Sequence, residues 1–252
     1  MNEEKFTGKA ELYDKYRSGY PDELIEYLYQ KARCDNVADI GAGTGKFTRC
    51  LLKKPWKVTA VEPNADMRGV LSRLGGITVV NAPAENTGLP AHSFGLVTTA
   101  QAFHWFDEEK FKEECKRILT DNGYAAVIWN SFVNEGLAAR QKEICRKFSI
   151  DPQFARTGHA GGNEDSTDYL CNEFFSESEQ VEFYGERIFD RESFIGEALS
   201  RSHSPRKDDP NYAPFREELI SVFNEFSIGD KAAVKCKTKC YLGKLKITGG
   251  KK

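Results

Sequence analysis

Apolar residues in the first half of the chain fall into two alternating patterns. Short unbroken runs at 36–40, 58–62, 77–80, 94–100 and 124–129 are bounded by Gly, Pro or Asn, as expected of strands covered on both faces. Stripes at helical spacing lie between them. Pro21 opens a helix with Leu24, Ile25, Leu28 and Tyr29 on one face. A helix over 44–54 is closed by Pro55. Asn64 caps a helix carrying Met67, Val70, Leu71 and Leu74, and Gly75-Gly76 ends it. Asp107 caps another, with Phe111, Cys115, Ile118 and Leu119 inward, and Asn122-Gly123 turns into the fifth strand. This alternation predicts an α/β fold: a doubly wound parallel sheet, helices on both faces and right-handed crossovers.

Beyond residue 130 the pattern loosens. Helices are expected at 134–148, 191–200 and 214–226, strands at 179–189 and 232–242, and a loop or lid at 150–172. In the last strand Val234, Cys236, Thr238 and Cys240 alternate with Lys235, Lys237 and Lys239. That reads as the wet side of an edge strand, its lysines blocking edge pairing.

Composition narrows the class. A chain of 252 residues holds one large domain or a domain with an insertion. A net charge of −2 with mixed signs supplies no global basic field, so nucleic acid is not the expected partner, although the lysines from Lys231 to Lys252 keep an RNA reading open. The polar start and the lack of a long apolar run predict neither a secretory signal nor a membrane span. Seven cysteines cannot all pair within the chain, which suits reduced thiols and a cytoplasmic location. The expected assembly is a monomer or homodimer.

The most informative chemistry lies in Val37-Ala-Asp-Ile-Gly-Ala-Gly-Thr-Gly-Lys-Phe47. Glycines at 41, 43 and 45 let the backbone approach a ligand closely. Glu62 ends the next strand about 20 residues later, a spacing that suits a carboxylate gripping ribose hydroxyls. A phosphate-binding P-loop is excluded, because Ile40 and Phe47 stand where it needs Gly and Ser or Thr. A dinucleotide fingerprint needs its third glycine at position 46, which is Lys46. A tight turn without ligand is the bland alternative.

The D-x-G-x-G-x-G string from Asp39 to Gly45, with Glu62, resembles the class I S-adenosylmethionine-dependent methyltransferases. The resemblance covers most of residues 6–131 and the remainder loosely. It implies a Rossmann-like, mostly parallel seven-stranded sheet with an antiparallel C-terminal hairpin and a helical lid, and S-adenosylmethionine as cofactor. It implies that Asp39 sits near the methionine amino group and that Gly41, Ala42, Gly43 and Gly45 line the loop. Glu62, followed by Pro63, would hold the ribose. Ala84 and Glu85 would meet the adenine, Gln101 the methionyl end, and Tyr13 and Arg17 would fold over the cofactor. In domain terms the cofactor-binding core is 36–131, with N-terminal cap helices in 1–35, lid or substrate segments at 132–178 and 190–228, and terminal strands at 179–189 and 231–242, all within one domain of 1–252.

The string Gln101-Ala-Phe-His-Trp-Phe-Asp107 resembles a subgroup of small-molecule and uncharacterised methyltransferases with a C-terminal lid. His104, titratable near neutral pH, is the candidate base or hydrogen-bond donor, against a plain packing role beside Trp105. Arg17, Arg201 and Arg206 are candidate grips for an acidic small-molecule methyl acceptor, and His203 a candidate substrate contact. An ordinary solvated loop over 199–212 is the alternative. His92, His104, His159 and His203 are too dispersed to make a metal site. Three rival functions remain: a nicotinamide-dependent oxidoreductase, a non-catalytic or regulatory cofactor-binding protein, and an RNA methyltransferase.

Overall fold

The structure is a computed structural model that describes residues 6–157 and 166–246. His159, the middle of the expected lid and the last six residues of the lysine-rich end lie outside the described residues. Two compact units are formed. The sheet unit spans 19–129, 162–183 and 238–252, and the helical unit spans 1–18, 130–161 and 184–237.

The strands are β1 (Asn36–Ile40), β2 (Lys57–Val61), β3 (Ile77–Val80), β4 (Phe94–Ala100), β5 (Leu119–Phe132), β6 (Phe175–Phe189) and β7 (Ala232–Leu245). They form one seven-stranded sheet in the order β3-β2-β1-β4-β5-β7-β6. β1 to β5 pair in parallel, with Val37 opposite both Val58 and Leu96, and Val97 opposite Ala125. β6 and β7 complete it as an antiparallel C-terminal hairpin. The chain winds outward from β1 to β3, then crosses back to place β4 on the other side of β1. The carboxyl ends of β1 and β4 therefore meet at the point where winding reverses, where open α/β sheets bind ligands.

The helices are α1 (Ala10–Tyr16), α2 (Asp22–Ala32), α3 (Lys46–Leu51), α4 (Ala65–Leu71), α5 (Glu108–Ile118), α6 (Gly136–Lys147), α7 (Pro152–Thr157), α8 (Ser166–Tyr169), α9 (Arg191–Leu199) and α10 (Tyr212–Phe226). Consecutive strand residues point to opposite faces, and both faces of the central strands are covered. Val37, Leu96 and Ala126 pack with Leu24, Ile25, Leu28, Phe47 and Leu51 of α2 and α3. Ala38, Val97 and Val127 pack on the other face with Phe111, Cys115 and Ile118 of α5. This is why the strands read as unbroken apolar runs. Each fully buried Leu, Val or Phe contributes roughly 1.5–3 kcal/mol of transfer free energy.

The helical unit has its own core. α6 buries Leu137, Ala138, Gln141, Ile144 and Cys145, and α10 buries Phe215, Leu219, Val222 and Phe223, each an i, i+4, i+7, i+8 stripe. α1 lies against α9 at Gly196, where a Cβ would come within 2.4 Å of the Tyr16 ring.

Four expectations are corrected. α3 starts at Lys46, two residues later than expected, because Gly45 turns left-handed at φ +83°. The Asn122-Gly123 turn is absent: β5 runs unbroken from Leu119, and the extra residues are absorbed in an irregular register against Phe94 and Leu96 of β4. The expected loop over 150–172 contains α7 and α8, and α8 runs into a π-helical turn, Leu170–Phe174. β7 is not an edge strand, since it lies between β5 and β6. Its lysines find acids instead: Lys235 pairs with Glu135 at 2.9 Å and Lys239 with Glu182 at 3.6 Å.

Candidate functional site

β1 ends in a turn built by its glycines. The N–H groups of Gly41 and Ala42 both donate to the Val61 carbonyl, at 2.9 and 3.0 Å, stitching the turn to the end of β2. Gly41, Gly43 and Gly45 all have positive φ, at +69°, +59° and +83°. Their surroundings differ. A Cβ on Gly41 would meet Ala102 Cβ at 2.6 Å and Phe106 at 2.9 Å, and one on Gly45 would meet Leu74 and Leu71 at 2.6 and 2.8 Å. A Cβ on Gly43 would meet nothing within 4 Å. Two of the glycines are thus demanded by the chain's own packing, and Gly43 faces open space.

Both expected acids border this turn. Asp39 is 1% exposed, and its two oxygens accept from Thr48 Oγ1 at 2.6 Å and Thr98 Oγ1 at 2.9 Å. Burial pushes its carboxyl up to about 6, with the two threonine hydroxyls opposing the rise. Among the described residues no cation acts on it. Glu62 is 7% exposed and accepts from the Gly43 N–H and the Asn64 N–H, both at 2.8 Å. The second strand's terminal acid is thereby fixed against the middle of the glycine turn. Asn64 also caps α4 by accepting from the Met67 N–H, as the sequence indicates.

The loop after β3 approaches through Ala84, which is buried, while Glu85 accepts from the Asp107 N–H at 2.8 Å and so ties that loop to the start of α5. A deeper anchor escaped the sequence reading. Buried Glu114 accepts from the Thr87 N–H at 2.8 Å and from the Thr87 hydroxyl, and receives Arg117 Nε and Nη2 at 2.8 and 2.7 Å. Arg117 Nη1 also reaches the Leu89 carbonyl at 2.7 Å. The only signal was Glu and Arg three apart on a helix, which is usually a surface pair. Glu114→Gln should destabilise the chain by about 1–2 kcal/mol in denaturant unfolding, because it weakens the hydrogen bonds that this buried carboxylate accepts from Thr87 and from the exposed Arg117.

At the end of β4, Gln101 holds φ +58°, a conformation rare outside glycine, and donates its N–H to the Ile128 carbonyl at 2.9 Å. Such backbone strain clusters at functional sites. Residues Phe103–Trp105 form a 3₁₀ turn. Phe103 is core, packed edge-on against Phe111, Trp129 and Phe174. The His104 ring lies 4.6 Å from the Trp105 ring and is half-buried.

In the helical unit, Arg17 lies over the Tyr13 ring at 5.1 Å and pairs with Glu197 at 3.3 Å. Arg201 pairs with the same carboxylate at 3.1 Å. His203 is buried and stacks on Phe154 at 3.5 Å. The start of the 199–212 segment is therefore interior, a correction to the solvated-loop alternative. Among the described residues no group of three or more His, Cys, Asp or Glu stands in metal-binding arrangement, and no helix is long and apolar enough to cross a membrane.

These features fit a cationic adenosine-type ligand. Among the described residues the buried Asp39 charge has no counter-cation, the Gly43 bend is open, and an acid sits at the end of the neighbouring strand.

Comparison with known proteins agrees. Residues 38–127 match the family model for a methyltransferase domain. An uncharacterized methyltransferase of Mycobacterium tuberculosis is 36% identical over 127 residues, covering 50% of this chain and 52% of that protein. The chain spans about half the length of the curated relatives it matches. A candidate type II methyltransferase from Anaeromyxobacter dehalogenans shares the fold, with TM-score 0.66 at 21% identity over 91% of this chain and 98% of that one. So does the Haemonchus contortus phosphoethanolamine N-methyltransferase 2, solved with S-adenosylhomocysteine, with TM-score 0.51 at 12% identity over 96% and 57%. Over residues 38–127 the chain is therefore similar to a methyltransferase domain, carried on a Rossmann-like fold.

Proposed function

We propose that this chain transfers the methyl group of S-adenosylmethionine to a small-molecule acceptor. The observation that carries the reading is the buried Asp39 carboxylate, without a cation among the described residues, behind an open Gly43 bend that Glu62 borders. When bound, the cofactor supplies a methyl group activated by its sulfonium leaving group. The protein's share is alignment and exclusion of water.

Asp39 would act on the ligand's ammonium as the missing counter-charge. Glu62, held by the Gly43 and Asn64 N–H groups, would hold the ribose hydroxyls. Ala84 and Glu85 would border the adenine, and strained Gln101 the amino-acid end. Tyr13 and Arg17 keep the role the resemblance implies, as cover for the cofactor. His104 is the candidate base or donor for an acceptor that is protonated at neutral pH. A carboxylate acceptor would need no base.

The test is product release. The chain is incubated with S-adenosylmethionine and a panel of carboxylate, phenol and amine acceptors, and S-adenosylhomocysteine is measured. We expect product with at least one acceptor class. Cofactor binding without turnover on any of them would favour the non-catalytic reading. Within the same assay, Glu62→Ala should weaken cofactor binding at least about tenfold, the scale of a hydrogen bond to a charged group.

A further inference from the structure

The helical unit contains an unbalanced buried charge cluster, of which the methyl-transfer reading uses only Arg17. Its centre is Glu197, 2% exposed. Arg17 Nη1 stands 3.3 Å from Glu197 Oε1, Arg201 Nη2 stands 3.1 Å from both oxygens, and Arg187 is close enough to act on the same carboxylate. Lys9 is buried beside them, its ammonium donating to the Arg201 and Ser204 carbonyls at 2.7 and 2.9 Å. Two arginines thus pair with one carboxylate, Arg187 acts on it from beside them while bonded to Ser18 Oγ and the Tyr16 carbonyl, and Lys9 stands close to Arg17. Burial is the largest cause, and the nearby Arg206 and Arg17 charges add to it, in holding the Lys9 ammonium down at about 8.

Two donors in this cluster lack acceptors among the described residues. Gln141 is 1% exposed; its Oε1 accepts from Arg201 Nη2 at 3.3 Å, while its Nε2 has no partner. Turning the amide over would set Nε2 against the guanidinium, so the orientation is dictated by Arg201. Arg17 Nε is likewise buried and unpartnered. Both residues stand within one side chain of Glu197. The guanidinium–carboxylate contacts, at 3.1–3.4 Å, are longer than the 2.7–2.9 Å of a closed charge-assisted pair. An unpaired buried donor costs about 1–3 kcal/mol, and a net excess of buried positive charge adds to that cost. A small anion with several acceptor oxygens would relieve both.

We propose that Arg17, Arg187, Arg201, Lys9 and Gln141 form a binding site for a small oxyanion, of carboxylate or phosphate chemistry, other than the cofactor. Arg17 Nε and the Gln141 amide are its two unpartnered donors, and Glu197 holds the Arg17 and Arg201 guanidiniums beside them. The proposal stands whether or not the chain transfers methyl groups, because its readout is anion binding alone.

The experiment is calorimetric titration of the whole chain, in an anion-poor zwitterionic buffer, with inorganic phosphate and separately with succinate. Each titration is repeated in saturating S-adenosylhomocysteine. We expect saturable binding of at least one probe, unchanged by S-adenosylhomocysteine, and weakened about tenfold or more in Gln141→Leu, on the scale of one hydrogen bond to a charged group. Gln141→Glu places an anion in the cluster permanently. It should raise the melting temperature in anion-poor buffer and abolish the binding, which keeps the test decisive even if Gln141→Leu folds poorly. Failure of both probes to bind at tens of millimolar (roughly −2 kcal/mol or weaker) would overturn the proposal. So would equal binding by the variants, or a lower melting temperature for Gln141→Glu. Competition by S-adenosylhomocysteine would assign the donors to the cofactor's own carboxylate and remove the separate site.

Discussion

Asp39→Asn should stabilise the ligand-free chain at pH 7.5 and at the same time remove most of its affinity for S-adenosylhomocysteine. Asp39 is held in the interior with two threonine hydroxyls and no cation among the described residues. A rise from the usual 3.8 to about 6 means that the folded chain binds this proton more tightly than the unfolded chain does. Stability contributed by the protonated group is therefore full below about pH 4 and falls as pH rises to about 6, by up to roughly 3 kcal/mol. Asparagine keeps the shape and carries no charge. The variant should gain on the order of 1–3 kcal/mol at pH 7.5, several degrees of melting temperature, and nothing at pH 4. Binding should move the other way. A carboxylate a few ångströms from an ammonium in a poorly solvated site is worth at least about tenfold in affinity. Wild-type affinity should fall as pH drops through 6, whereas the weaker affinity of the variant should stay flat over the same range. Thermal melts and calorimetry at pH 4, 6 and 7.5 read both effects. A variant that loses stability at pH 7.5 would mean that Asp39 is a structural anchor with a partner it cannot spare.

The second large effect separates the glycines. Gly41→Ala should cost about 2–5 kcal/mol, the sum of left-handed strain and overpacking against the rigid Ala102 methyl and the Phe106 ring. Gly43→Ala carries only the strain, about 1–2 kcal/mol, yet its methyl group would project into the open space in front of the turn. Gly41→Ala should therefore appear mainly in denaturant unfolding. Gly43→Ala should fold and lose cofactor affinity. Equal affinity in Gly43→Ala and the wild type would mean that the ligand does not pass over this bend.

Much of the sheet was legible because strands covered on both faces leave unbroken apolar runs. β1, β3 and β4 lie where those runs lie, and Asn64 and Asp107 cap the helices they precede. The glycine turn and its two acids were legible because only a few chemistries put D-x-G-x-G-x-G before a strand-terminal acid. What failed was set by tertiary context. Alternating lysines look alike on an edge strand and on an inner strand flanked by acids, so β7 was misread until Glu135 and Glu182 were in view. Asn122-Gly123 carries a strong turn signal, but β4 takes up those residues as a register irregularity. Glu114, Glu197 and Gln141 are polar residues on helices, and nothing local distinguishes them from solvated ones. Their roles come from Thr87, Arg17 and Arg201, which are distant in sequence. The glycine pattern also could not say that Gly41 and Gly45 serve packing while Gly43 faces open space.

The most direct measurement is a crystal structure of the chain with S-adenosylhomocysteine. The expected result is ligand lying across Gly43, its ribose hydroxyls on the Glu62 carboxylate and its ammonium on the Asp39 side of the turn. A ligand bound elsewhere, or one seated over the turn with its ribose away from Glu62, would contradict the central claim that this acid-flanked glycine bend is the cofactor site.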